Sequence, residues 1–255
     1  MMNIQKVSKN DQALCCIPLV SQSQTELLTE LQTILPKQPD LVEWRADYFH
    51  SLSNTAEVLL TAKKLKEAAP DTTFIFTIRS LAEGGQATSL SADQSVELTA
   101  TVCEQTQLEY VDCELSQKSE AKALLARRAA AVGKKVIGSY HNFSHTPPQS
   151  ELIAKFKESE SADFSVAKVA VMPQSMEDVL TLMSAALAAR KILSIPLIAL
   201  SMGDYGVITR MMAADIGSSV TFVVGQKASA PGQIPIDDFR ILQSLVKKKE
   251  DLAPS

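Results

Sequence analysis

The stretch "VAKVAVMP", residues 166–173, is an apolar run of strand length with one lysine, Lys168, near its centre. Strands covered on both faces, as in parallel sheets wrapped by helices, read as near-continuous apolar runs rather than alternating ones. Similar runs recur along the whole chain: "ALCCIPLV" (13–20), "LVEWR" (41–45), "FIFTIR" (74–79), "YVDCEL" (110–115), "KVIGSY" (135–140), "FSVAKVAV" (164–171), "PLIAL" (196–200) and "VTFVVG" (220–225). After each comes a segment with apolar residues at three-to-four spacing, and several of these segments open with Ser, Asn or Asp, the residues that cap helix N-termini. Eight strand–helix alternations predict an α/β fold, a single (β/α)8 TIM barrel occupying residues 1–255 as one domain. A doubly wound sheet would give a similar string, but no G-x-G-x-x-G follows the first strand, which argues against a dinucleotide fold.

Composition narrows the function. The 255 residues are 45% hydrophobic, enough for one large core, and 25 basic against 29 acidic residues give a formal charge of −4 with no basic stripe. A nucleic-acid partner is therefore not expected. The run "ALCCIPLV" is too short to span a bilayer and lacks a small-residue cleavage site, so neither a membrane association nor a signal peptide is expected, and the expected location is cytoplasmic. Cys15, Cys16, Cys103 and Cys113 form no CxxC pair and read as reduced, packed thiols rather than disulfide or metal ligands. No Gly/Ser/Pro-rich linker divides the chain, and "KKKEDLAPS" (247–255) reads as a solvated tail.

In a barrel of this kind catalytic groups gather at the C-terminal ends of the strands. "EWRAD" puts Glu43 and Arg45 on one face, with Asp47 two residues on. "TIRSLAEGG" puts Arg79 at the rim and Glu83 in a glycine-loosened loop. "GSYHNF" puts His141 just beyond the fifth strand. "SMGDYGVITR" leads to Arg210, and "GQKASAPGQIP" offers Ser229 and Gln233. His50 and His145 read as surface residues. Each of these side chains alone has a structural reading, an internal Glu43–Arg45 ion pair for example.

Lys168 is the harder case. A lysine inside a strand must be paired or lose its proton, and desolvation with Arg79 or Arg210 nearby lowers its pKa and leaves a nucleophilic amine able to form a Schiff base. A purely structural pair with Glu43 is the alternative. His141 has a pKa suited to taking the proton that an imine acidifies, Glu83 is placed to orient it, and two arginines with Ser229 and Gln233 suit a small hydroxylated acid.

Taken together, "EWRAD", "FTIRSLAEGG", "SYHNFSHTP", "AKVAVMP", "ALSMGDYGVITR" and "ASAPGQIPI" resemble the type I 3-dehydroquinate dehydratases of the shikimate pathway to chorismate and aromatic amino acids. The motifs run in order from strand 2 to strand 8. The resemblance implies a hydro-lyase that converts 3-dehydroquinate to 3-dehydroshikimate by syn elimination. It implies Lys168 as the imine-forming lysine, His141 as general acid/base and Glu83 as its supporting acid. It implies Glu43, Arg45 and Arg79 around the substrate hydroxyls, Arg210 on its carboxylate, and Ser229 and Gln233 in a closing loop. It also implies no metal, no cofactor, a homodimer, and no second shikimate enzyme fused to the barrel. Another Schiff-base barrel acting on a sugar phosphate would share Lys168 but would present a Gly-rich phosphate loop where this chain has Arg210, Ser229 and Gln233. A catalytically dead barrel serving as a binding protein would be expected to have lost the lysine or the histidine.

Overall fold

The computed structural model describes residues 2–8 and 11–247; the predicted solvated tail beyond Lys247 lies outside the described residues. Strands β1 (Leu14–Leu19), β2 (Leu41–Arg45), β3 (Thr73–Thr77), β4 (Tyr110–Glu114), β5 (Lys135–Asn142), β6 (Val166–Val171), β7 (Leu197–Ser201) and β8 (Val220–Phe222) alternate with helices α1 (Gln24–Ile34), α2 (Thr55–Ala68), α3 (Ala92–Gln105), α4 (Ser119–Ala131), α5 (Gln149–Ser161), α6 (Met176–Ile192), α7 (Gly203–Met211) and α8 (Ile236–Lys247). All paired strands are parallel, in the order β7-β6-β5-β4-β3-β2-β1-β8. A bridge between Leu197 and Ser218 and a hydrogen bond from Ser219 N–H to Leu197 O (2.8 Å) join the last two strands, so the sheet closes into the predicted (β/α)8 barrel.

Local chemistry sets where the helices begin. Ser23 and Glu26 form a capping box on α1, Ser91 and Gln94 form another on α3, and the Asn54 side chain caps α2. Each satisfies backbone donors that the first helical turn leaves unpaired. The helices bury their apolar stripes on the outward strand residues. Trp44 and Phe76 of β2 and β3 meet edge to face with centroids 5.3 Å apart, beneath Val58, Ala62 and Leu65 of α2. On the other side, Ala167, Val169 and Val171 of β6 pack against Leu182, Ala185 and Ala189 of α6. Each large apolar side chain buried this way contributes about 1.5–3 kcal/mol.

The inward residues form a separate stack. At its base, Cys16, Leu41, Ile75, Tyr110, Ile137, Val166, Ile198 and Val220 fill the barrel axis. Ile4 reaches into this cluster from the chain's first residues; its N–H donates to Tyr110 Oη (2.9 Å), and Thr73 Oγ1 donates to Met2 O (2.9 Å). The barrel's N-terminal end is thereby stoppered, and polar side chains collect toward the other end.

Most strand bounds shift by one or two residues from the sequence reading, and two of the differences bear on the site. β5 continues through Asn142 because His141 and Asn142 pair with Ala170 and Val171, so His141 is a strand residue rather than a loop one. β8 stops at Phe222 instead of Gly225. Val224 N–H donates to Ile234 O (2.8 Å) and Val224 O accepts from Ile236 N–H (3.0 Å), so the returning loop takes the backbone groups that a longer strand would offer a neighbour. All four cysteines are free and buried, as expected of packed thiols.

Candidate active site

Glu43, Arg45, Arg79, Glu83, His141, Lys168, Arg210, Ser229 and Gln233, the nine residues singled out from the sequence, line one narrow cavity at the C-terminal end of the barrel, with Phe143, Met202 and Phe222 completing its walls. Parallel pairing puts Ser139 beside Lys168 and His141 beside Ala170, so His141 stands one inward position above Lys168 on the adjacent strand.

Lys168 is 5% exposed. Its Nζ lies 3.9 Å from Glu43 Oε1 and 4.1 Å from the centroid of the Phe222 ring, and it makes no hydrogen bond among the described residues. Glu43 Oε1 instead accepts from Thr77 Oγ1 at 2.9 Å. Burial lowers the Lys168 pKa below its usual 10.5, the carboxylates of Glu43 and Asp112 oppose that shift, and the Arg79 guanidinium adds to it. An amine held this way carries the cost of burial without the close partner that would fix it as a structural ion.

His141 is fastened from one side. Glu83 Oε2 accepts from the His141 backbone N–H (3.0 Å) and faces its ring Nδ1 at 2.9 Å, while Ser116 Oγ donates to Glu83 Oε1 (3.2 Å). Because Oε2 already accepts the backbone N–H, the ring proton belongs on Nδ1, which leaves the Nε2 lone pair free. Burial, with Arg79, Lys168 and Arg45 nearby, pushes the histidine pKa well below 6.5. Burial also pushes Glu83 up, to about 8, helped by Glu114 and Asp112 and opposed by Arg79. Gly84 makes room for the Phe143 ring: at φ +82°, a Cβ there would sit 2.2 Å from a ring carbon.

Arg79, expected at the rim, and Arg210 are both buried. Arg79 Nη1 donates to Glu114 Oε1 (3.0 Å) and Ser139 Oγ (2.9 Å), and Nη2 pairs with Asp112 Oδ1 (3.0 Å). Burial alone would weaken its charge, but Asp112, Glu114 and Glu83 outweigh that and hold it firmly protonated. Arg210 is 1% exposed; Nη1 donates to Phe222 O (3.1 Å), Nη2 to Pro231 O (3.2 Å), and Nε has no partner among the described residues. With no carboxylate beside it, burial drops its pKa to about 10. Such a cation has unmet affinity for an anion. Arg45 differs again, since Asp47 grips it with two bonds of 2.8 Å.

Ser229 and Gln233 clasp each other across the loop after β8: Ser229 N–H donates to Gln233 Oε1 (2.9 Å) and Gln233 Nε2 to Ser229 Oγ (3.1 Å). Gly232, at φ +76°, brings this loop against the start of α7, where a Cβ would lie 2.4 Å from Gly203 O.

The sequence reading did not select Asp112, Glu114 or Ser116. Asp112 and Glu114 alternate with apolar residues in "YVDCEL" as a strand's inward face requires, and that alternation was the available signal. Among the described residues no group of three or more His, Cys, Asp or Glu is arranged to hold a metal ion, and no helix is long and apolar enough to cross a membrane.

The family profile of type I 3-dehydroquinase matches residues 15–250. The chain belongs to that family. A 3-dehydroquinate dehydratase of Geobacillus sp. strain WCH70 is 44% identical over 238 residues, 93% of this chain and 92% of the relative. The crystal structure of 3-dehydroquinate dehydratase from Geobacillus kaustophilus superposes with a TM-score of 0.91 at 39% identity, covering 97% of this chain and 99% of that one. A type I family member from Clostridium difficile, solved with covalent modified comenic acid, gives a TM-score of 0.90 at 29% identity, with 94% of each chain covered.

Proposed function

We propose that this type I 3-dehydroquinase family member is a hydro-lyase that dehydrates 3-dehydroquinate to 3-dehydroshikimate through an imine on Lys168. The observation that carries this reading is the buried Lys168 amine, without a hydrogen bond among the described residues, sharing one cavity with a histidine whose Nε2 is without a partner among them.

Uncharged Lys168 attacks the C3 ketone, and loss of the carbonyl oxygen as water leaves an iminium that acidifies C2. His141 Nε2 takes the C2 proton, the electron pair moves into an enamine, and the C1 hydroxyl departs with a proton from His141. Water then cleaves the iminium and returns the lysine, so the net change is loss of one water. The depressed histidine pKa keeps the base unprotonated near neutral pH, and Glu83 stabilises the imidazolium formed between the two proton transfers. Arg210 receives the substrate carboxylate, which replaces the solvation its buried guanidinium lacks. Glu43, Arg45 and Arg79 face the hydroxyls, and Ser229 and Gln233 bring polar contacts in with the loop, shutting water away from the imine.

The reading further includes a cytoplasmic homodimer, built from one barrel domain over residues 1–255, working without metal or organic cofactor.

The test mixes purified protein with 3-dehydroquinate and borohydride, maps the adduct by mass spectrometry, and follows the ultraviolet absorbance of the conjugated enone in a parallel sample without borohydride. An adduct on Lys168 together with enone formation is expected. Folded protein that yields neither signal would make Lys168 a structural charge.

A further inference from the structure

Asp47, the last residue of "EWRAD", lies in the helical turn Ala46–Tyr48 that follows β2. It is not among the residues that line the reaction cavity, yet its side chain is 0% exposed. Its two oxygens accept four hydrogen bonds. Oδ1 takes Arg45 Nε–H (2.8 Å) and the backbone N–H of Arg79 (3.3 Å), and Oδ2 takes Arg45 Nη2–H (2.8 Å) and the backbone N–H of Gln86 (3.1 Å). Burial alone would lower the Arg45 pKa, but Asp47, with Glu43 nearby, raises it, and the guanidinium also lies over the Tyr48 ring at 5.2 Å.

Arg79 and Gln86 are the two ends of the loop that carries Glu83. Their N–H groups, seven positions apart, converge on one carboxylate, so Asp47 closes that loop at its neck. Within the loop, Gly85 N–H donates to Ser80 O (2.8 Å), and a Cβ on Gly85 would lie 2.0 Å from Arg79 O, so the two sides of the neck run in contact. An ion pair serving Arg45 alone would have no need of these backbone groups. The carboxylate is also specific to the place, because all four neighbours are donors. An asparagine would offer its oxygen to one pair of them and its amide hydrogens to the other.

We infer that Asp47 is a positioning residue that joins the two sides of the site, holding Arg45 toward the substrate hydroxyls and, through the neck of the loop, Glu83 against His141. The path is continuous: Arg45 to Asp47, Asp47 to the amides of Arg79 and Gln86, and the loop between them to Glu83, whose Oε2 grips both the backbone and the ring of His141. A displacement of about 1 Å at a catalytic group costs about 100-fold in rate, so a residue that touches no substrate can still govern turnover. This inference rests on the proposed roles of His141 and Arg45 and adds to them the part that ties one to the other.

Steady-state kinetics of Asp47→Asn with 3-dehydroquinate, in three backgrounds of the full chain, read the outcome. In the parent background kcat is expected to fall about tenfold and KM to rise about 3- to 10-fold. In Glu83→Ala the kcat loss shrinks to within about twofold, since the loop then has no carboxyl to deliver, and in Arg45→Ala the KM rise shrinks likewise. Losses that multiply unchanged in both backgrounds are those of general loosening and overturn the assignment. Thermal melting checks that each variant is folded, and amide hydrogen exchange read by NMR needs no variant at all. Gln86 is exposed, yet its N–H is expected to exchange at least about tenfold more slowly than in an unfolded peptide. Exchange at the peptide rate overturns the neck. A folded parent that forms no enone overturns the reaction reading and this role with it, whereas an active parent with unchanged losses in both backgrounds keeps the reaction and overturns Asp47 alone.

Discussion

Glu83 Oε2 takes two hydrogens from a single residue, the backbone N–H of His141 at 3.0 Å and its ring Nδ1–H at 2.9 Å. The double grip fixes both where the imidazole stands and which nitrogen faces the cavity. A glutamine retains an acceptor oxygen there, so Glu83→Gln preserves the tautomer and loses only the carboxyl's capacity to ionise opposite the imidazolium. Turnover is expected to fall about 10- to 100-fold, less than when the base itself is removed, measured by steady-state kinetics.

The same carboxyl makes stability depend on pH. With a folded pKa of about 8 against an ordinary 4.5, Glu83 binds its proton more strongly in the folded protein. Its contribution is complete below pH 4.5 and is lost as pH climbs through 8. His141 works the opposite way below its ordinary 6.5, since unfolding then lets it take up a proton. Above that value Lys168, whose pKa burial lowers, opposes the Glu83 effect, and comparison with Glu83→Gln isolates the latter. Urea unfolding should therefore show the stability of the parent relative to Glu83→Gln declining from pH 6.5 to about 8 and levelling above that. Identical slopes would contradict the raised pKa.

Removing Lys168 and removing His141 should fail differently. Lys168→Ala is expected to give no borohydride-trapped adduct and no enone. His141→Ala should still accumulate trapped imine slowly while elimination drops by about 10²- to 10⁴-fold or more, because only proton transfer has been removed. Near-normal turnover in both would refute the assigned chemistry.

Arg210 tests recognition of the acid. Arg210→Ala removes charge-assisted hydrogen bonds of about 1.5–3 kcal/mol, so kcat/KM should fall about 10- to 150-fold, mostly through KM. Arg79→Ala should behave as a folding lesion, leaving Asp112 and Glu114 buried without their cation at a cost of about 3–5 kcal/mol, visible in denaturant midpoints before any kinetic assay.

Gly232→Ala would push a Cβ against Gly203 O and strain a backbone held at φ +76°. The loop carrying Ser229, Gln233 and the Pro231 carbonyl that holds Arg210 should seat poorly, raising KM while the melting temperature moves little. Crystals grown with and without ligand should also differ in the order of this loop; equal order in both would count against its acting as a lid.

Much of this architecture could be read before any coordinates. Lys168 stood out because a charge inside an apolar strand has few explanations, and the alternation of strands and helices followed from period and capping. What the string hid was how partners are shared. Arg79 and Arg210 look alike in sequence, but Arg79 follows β3 into the layer that holds Asp112 and Glu114 of β4, whereas Arg210 enters from α7 among the carbonyls of Phe222 and Pro231. The end of β8 was equally hidden, since it depends on Ile234 and Ile236, beyond the loop, capturing Val224.

The stopper formed by Ile4 and Tyr110 closes the barrel axis at its N-terminal end, behind the reaction chamber. In the proposed cycle the carbonyl oxygen expelled when the imine forms has no rear exit, and the imine must later recover a water molecule to release product. A dead-end chamber keeps that molecule close to where it will be consumed, so some of the ketone oxygen should survive a turnover carried out in isotopically labelled water.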